Sequence, residues 1–169
     1  FEGAVKYAWM KEYYPAQYEE MKKFIESGRW HISGASWDAT DTLVPSIESA
    51  IRNIMLGQDY YRKEFGVEST DIFLPDCFGF GWTLPAIASH CGLIGFSSQK
   101  LQWRNKPFYG NDKYPFTVGL WQGIDGSTIM MTHGYDYNQR FEDGDLSENK
   151  DLLELTGHSP LHMVYRYYG

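Results

Sequence analysis

The sequence predicts an α/β fold: a mostly parallel sheet with crossover helices, closed or nearly closed into a β/α barrel. Three observations carry this. Strand-like and helix-like patterns alternate through much of the chain, the order that builds parallel strands joined by helices. Asp41, Asp76, Lys100 and Asp136 each follow a strand-like run, and a barrel gathers such strand ends at one mouth. The 169 residues, 43% hydrophobic and 17% aromatic, are enough for one domain with a real core. Residues 1–169 are therefore read as a single domain. Because the pattern is already under way at Phe1, they are read as an internal fragment of a larger catalytic domain.

The elements follow in order. Residues 2–13 place Val5, Ala8 and Trp9 at helical spacing. Pro15 opens a second helix, where a first-turn proline costs nothing, with Tyr18, Met21 and Ile25 as its stripe and Gly28 as its stop. Residues 30–36 read as a strand leading to Trp37, Asp38 and Asp41. Residues 46–65 make the clearest helix, its inner face drawn from Ile47, Ala50, Ile51, Ile54, Met55 and Tyr61, stopped by Gly66. A strand at 71–74, a short helix at 83–91 with Pro85 in its first turn, and a strand at 94–97 follow. Residues 117–122 and 127–132 flank Asp125-Gly126, a hairpin signal. A polar loop at 138–147, a helix at 148–156 capped by Ser147, and a strand at 161–168 close the chain.

Composition narrows the function. A net charge of −7 with no basic run argues against nucleic acid, whose phosphates need a basic face. No apolar run is long enough to span a membrane as a helix. Two cysteines, Cys77 and Cys91, are too few for a disulfide framework, and two thiols are expected. Thirteen Tyr, ten Phe and six Trp favour a carbohydrate or apolar partner.

The segment Ile72-Phe73-Leu74-Pro75-Asp76-Cys77-Phe78-Gly79-Phe80 stands out. A short apolar run ends at a proline, and a lone aspartate follows among rings and glycines. An aspartate there either faces a site at the strand's carboxyl end or caps the next helix. Phe78 and Trp37 each lie beside a strand-end carboxylate and read as site walls. Carboxylates after strands suit glycoside hydrolysis, in which one carboxylate attacks and another moves the proton. Lys100 either holds a carboxylate ionised, binds a hydroxyl or is a solvated lysine. His133 has no second histidine at ligand spacing, so a metal role is not signalled. Cys77 has no base nearby in sequence and reads as a small buried residue.

A longer series of blocks carries a family resemblance: Trp9-Met10-Lys11-Glu12, Ser27-Gly28-Arg29-Trp30, Trp37, Asp41, Pro45-Ser46, Lys63-Glu64-Phe65-Gly66, Leu74-Pro75-Asp76-Cys77-Phe78-Gly79, Gln99-Lys100-Leu101 and Gly123-Ile124-Asp125-Gly126. In this order they resemble the N-terminal catalytic domain of the family 38 α-mannosidases, over nearly the whole chain.

The resemblance implies a seven-stranded β/α barrel and a retaining hydrolase of α-mannosides with one bound zinc. It implies that Asp76 is both catalytic nucleophile and zinc ligand, and that Phe78, Lys100, Tyr135 and Asp136 contact substrate. Asp41 would be structural. The family's His-x-Asp zinc motif and its second zinc histidine have no counterpart here, so the remaining ligands and the acid/base residue are expected outside this chain. Asp38-Ala39-Thr40 replaces the family's usual Val-Glu-Pro, and Ile47 stands where glycine is typical. Two other readings were weighed: a non-catalytic sugar-binding barrel that has lost the metal site, and a metal-dependent polysaccharide deacetylase-like barrel, which should bring a His-rich motif of its own.

Overall fold

The computed structural model describes residues 3–98 and 118–133. Its element order is α1 (Ala4–Tyr13), α2 (Pro15–Glu26), α3 (Ile47–Phe65), β1 (Asp71–Phe73), α4 (Leu84–His90), β2 (Gly95–Ser98), β3 (Val118–Gln122) and β4 (Thr128–His133). The four strands form one sheet in the order β1-β2-β4-β3. β1 pairs with β2, and β2 with β4, in parallel; β3 and β4 form the antiparallel hairpin expected around Asp125-Gly126. The sheet is thus mostly parallel.

The starts of α1, α2 and α3 and the end of α3 have visible reasons. The first amides of α1 are taken by the loop before α3: Ala4 N donates to Ser36 O (3.0 Å) and Val5 N to Trp37 O (2.8 Å). Pro15 occupies the first turn of α2, and Tyr18, Met21 and Ile25 are its buried residues, as the spacing predicts. The Ser46 hydroxyl accepts from Ser49 N (3.1 Å) at the start of α3; such a cap is worth about 1 kcal/mol. Gly66 ends α3 in the left-handed conformation, φ 67°, where a side chain would be strained.

Two clusters make the core. Ile54, Ile72, Leu74, Leu84, Ile87, Ala88, Phe96, Ile129 and Met131 lie between the sheet and helices α3 and α4. Ala4, Tyr7, Tyr18, Met21, Ile25 and Tyr61 join α1, α2 and α3. Helix α3 serves both, through Ile54 and Tyr61. It can lie close because residue 57 is glycine: a Cβ there would sit 2.1 Å from Ala35 O. The second cluster is tied by Glu64, which accepts from Lys11 Nζ (2.6 and 2.7 Å) and from the Tyr18 hydroxyl (2.8 Å). Lys11 holds the Glu64 carboxyl below the usual range. Burial of the Tyr7 phenol pushes it up to about 12.

Three expectations are corrected. Residues 30–36 form no strand, and Gly34 within them has a left-handed φ of 80°. One rung reaches β1, Ala35 N to Asp71 O (2.8 Å). Beyond it the backbone is claimed by helices: Ser36 O and Trp37 O by α1, and Trp37 N by Asn53 O of α3 (2.8 Å). In α3, Ile47 and Met55 are not inner-face residues; they are 56% and 59% exposed, and Gly57 and Gln58 are buried instead. In α1 the buried residues are Ala4, Val5 and Tyr7, while Trp9 is exposed. The expected loop at 138–147, helix at 148–156 and strand at 161–168 lie outside the described residues. No described helix is long and apolar enough to cross a membrane.

Candidate active site

The parallel pairing gives the sheet two distinct edges. The β2–β4 ladder ends with Ser98 beside His133, and the β1 ladder runs on one step as Leu74 N donates to Ser97 O (3.0 Å). The carboxyl ends of β1, β2 and β4 therefore share one edge. Function collects at such an edge in α/β sheets and barrels, because the connecting loops there are free to vary while the strands hold them.

Asp76 sits at this edge. Ile72 and Leu74 are buried and anchor the strand. Pro75 and Asp76 then turn out of it, and Asp76 is exposed. It does not cap α4, whose N-cap position is Thr83, so the capping alternative is set aside. Phe78 follows on the same loop and is 55% exposed. Phe80 turns the other way, its ring edge-on to Phe96 at 4.9 Å.

The loop carrying Asp76 is held from the side by residues 40–43. Cys77 Sγ donates to Thr40 O (3.1 Å), the Thr42 hydroxyl donates to Gly79 O (3.0 Å), and Gly81 N donates to Thr42 Oγ1 (3.4 Å). Asp41 accepts from Leu43 N (2.8 Å), so its carboxylate shapes this supporting loop. Asp38 pairs with Lys6 and caps Ala39 N (2.9 Å). Trp37, expected as a site wall, packs edge-on to Tyr60 (5.8 Å) among the helices. Cys77 and Cys91 are both thiols, and burial pushes the Cys91 thiol up.

Of the predicted site residues, Asp76 and Phe78 are brought onto one loop at the functional edge. Lys100, Tyr135 and Asp136 lie outside the described residues, as does Gln99. The last described residues of β2 and β4 are Ser98 and His133, so these candidates directly follow the two strand ends that flank the site. Sequence reasoning missed the Thr40–Leu43 support. Its contacts span 37 to 39 residues of chain, and no local pattern signals them.

A family model described as "Glycosyl hydrolases family 38 N-terminal domain" matches residues 3–157. The chain belongs to glycosyl hydrolase family 38. This family 38 domain is 38% identical over 156 residues to "Alpha-mannosidase G" of Dictyostelium discoideum, a match covering 88% of the chain and 14% of that protein. It is 32% identical over 123 residues to human "Alpha-mannosidase 2C1", covering 73% of the chain and 11% of that protein. The chain thus spans a small part of the length of these relatives. Among solved structures, an α-mannosidase from Enterococcus faecalis V583 superposes with a TM-score of 0.64 at 20% identity, covering 78% of this chain and 14% of that one. A 4-alpha-glucanotransferase from Thermococcus litoralis superposes at 0.61 and 17%, covering 78% of this chain and 20% of that one. At these identities the two superpositions speak to the fold alone.

A zinc centre was tested against the residues present. A catalytic zinc takes about three protein ligands. Among the described residues no three His, Cys, Asp or Glu side chains are grouped to hold a metal. The described residues do not by themselves fit such a centre.

Proposed function

We propose that this family 38 domain carries the nucleophile of a retaining α-mannosidase, and that the nucleophile is Asp76. The observation that supports this most is the position of Asp76: exposed, on the first turn beyond a buried parallel strand, at the edge where three strand ends align. Membership of family 38, with relatives that are α-mannosidases, supplies the reaction class and favours it over a deacetylase-like barrel.

The chemistry asks for a carboxylate that can approach the anomeric carbon. The Asp76 carboxylate attacks that carbon as the bond to the leaving-group oxygen breaks, giving a mannosyl ester of Asp76. Water then cleaves the ester and restores the carboxylate, and two inversions leave the configuration unchanged. An exposed carboxylate on a turn anchored by Ile72 and Leu74 has both the reach and the fixed position this requires. Phe78 offers a ring face to the mannose. Lys100, Tyr135 and Asp136, following β2 and β4, are proposed to contact its hydroxyls. When a zinc ion is bound, Asp76 would be one of its ligands, and the metal would orient the sugar; its other ligands and the acid/base residue are proposed to lie beyond this chain.

The four-stranded sheet is proposed to be part of a seven-stranded β/α barrel. Residues 1–169 are proposed as one piece of a larger catalytic domain. The experiment is Asp76→Ala and Asp76→Asn in the full-length enzyme, assayed by release of the phenol from an aryl α-mannoside. Loss of the nucleophile should cost on the order of 10⁴ or more in turnover. A folded Asp76→Ala enzyme that keeps about a tenth of turnover, a change of only about 1.4 kcal/mol in barrier, would sink the assignment.

A further inference from the structure

We propose that Trp82, with Leu43, forms the surface that receives the leaving-group sugar of the substrate, and so sets which glycan is cut. This rests on Asp76 as nucleophile.

The β1–α4 loop carries three rings that meet different fates. Phe80 is folded inward against Phe96. Phe78 and Trp82 face outward, and Trp82 is 76% exposed. An indole usually buries most of its surface, so leaving one open two residues from a half-buried phenylalanine needs a reason. Burial was available to this loop, and residue 80 takes it.

Leu43 reaches Trp82's neighbourhood from the supporting loop. Its Cδ1 lies 2.5 Å from where a Gly79 Cβ would stand, and its Cδ2 lies 3.8 Å from the corresponding position at Gly81. The two glycines thus let an exposed leucine lie across the loop between the positions of Phe78 and Trp82. The hydrogen bonds from Thr42 and Cys77 join the two loops into one support. The result is three exposed apolar side chains, Phe78 and Trp82 on the loop that holds the reacting carboxylate and Leu43 on the loop that supports it.

The occupant follows from the chemistry. The sugar on the far side of the scissile bond must lie next to the nucleophile but outside the mannose being transferred. Phe78 is close to Asp76 in the chain and serves the transferred mannose; Trp82 lies further along the same loop. A flat ring with an aliphatic neighbour matches the C–H face of a pyranose, and an open surface leaves its hydroxyls in water. Stacking of this kind is selective for the shape of a leaving group and leaves the bond chemistry alone.

The test uses the full-length enzyme with two substrates. An α-linked mannobiose has a sugar leaving group, whereas α-mannosyl fluoride has a single atom that cannot touch that surface. The readout is the ratio of kcat/KM for mannobiose to that for the fluoride. Trp82→Ala should lower this ratio about tenfold, the scale of a lost apolar contact in a specificity pocket. Trp82→Phe, which keeps an aromatic face, should recover most of it. An unchanged ratio in Trp82→Ala would overturn the proposal, as would a fall in thermal midpoint with equal losses on both substrates, which marks a packing residue. Asp76→Asn in the same assay separates the two readings: fluoride turnover retained in that variant would overturn the nucleophile, whereas an unchanged ratio at Trp82 overturns the leaving-group surface alone.

Discussion

The two ends of β1 carry the same side chain in opposite circumstances. Asp71, at the amino end, is 8% exposed. Its carboxylate accepts from the Ser33 hydroxyl (2.8 Å), the Ser69 hydroxyl (2.8 Å) and Gly34 N (3.3 Å). Asp76, just past the carboxyl end, is exposed on a turn. The neighbourhood of Asp71 is clamped by α3: Gln58 exchanges two hydrogen bonds with the Ser69 backbone, and the Tyr61 hydroxyl donates to Gly34 O (3.0 Å). The β3–β4 turn at the same edge is tied to the end of α4 by His90 Nε2 and Asp125 Oδ2 (2.8 Å). One edge of the sheet is thus built from paired polar groups, buried around Asp71 and exposed at the His90–Asp125 tie, that fix the fold. The other presents a carboxylate and open rings. A buried carboxylate with three donors is committed to structure, because removing it strands those donors. Asp76, by contrast, is reached by solvent at the end where the strand ends align.

The contrast breaks if the two aspartates behave alike. The largest expected effect is on catalysis at Asp76. Asp76→Asn should lose on the order of 10⁴ in turnover, while its urea midpoint stays close to that of the parent. Asp71→Ala should do the reverse. It should cost about 2–3 kcal/mol of stability, the scale of hydrogen bonds to a charged group whose partners are left unsatisfied. Activity per folded molecule should stay near the parent value, measured by active-site titration beside urea unfolding.

Next in size is Gly57→Ala, which sharpens the account of the clamped edge. The added methyl meets backbone, Ala35 O at 2.1 Å and Ser36 C at 2.4 Å, so α3 must move. The expected cost is about 1–3 kcal/mol, again by urea unfolding, with the mannobiose-to-fluoride ratio unchanged.

The smallest effect is the pH dependence of the Asp125 tie. The Ser127 hydroxyl and amide, then His90, hold the Asp125 carboxyl down at about 2 from an ordinary 3.8. A depressed carboxyl stabilises the fold above its unfolded value and loses that contribution as it protonates. The stability difference between the parent and Asp125→Asn should therefore be full above about pH 5 and close as pH falls from about 4 towards 2. A difference that instead widened on acidification would contradict the assigned partners.

Much of this architecture was legible in the sequence where the signal is local. Pro15, Ser46, Gly66 and the Asp125-Gly126 turn mark element ends through their own backbone preferences, and the structure places boundaries there. The stripe Tyr18, Met21, Ile25 was readable because one helix face meets one core. The non-local parts were not. Residues 30–36 have strand-like composition, but only Ala35 N pairs with β1, while Trp30 N goes to α2, Ser36 O to α1 and Gly34 O to Tyr61 of α3. The Asp71 cluster draws donors from 37 and 38 residues away and from two residues away, a combination no periodicity encodes. The strand-end position of Asp76 was readable because a proline ending an apolar run marks a strand end whatever packs around it, and Trp37 was misplaced because its partner, Tyr60, is on helix α3, far along the chain.

The central claim is that Asp76, and not its buried counterpart Asp71, forms the bond to the sugar. The direct measurement is trapping of the covalent intermediate in the full-length enzyme with 5-fluoro-mannosyl fluoride, whose ester forms faster than it hydrolyses, followed by peptide mass spectrometry. The account predicts inactivation with one mannosyl label on the peptide containing Asp76, and no label in Asp76→Asn. A label on any other residue, or turnover-dependent inactivation that survives in Asp76→Asn, would contradict it.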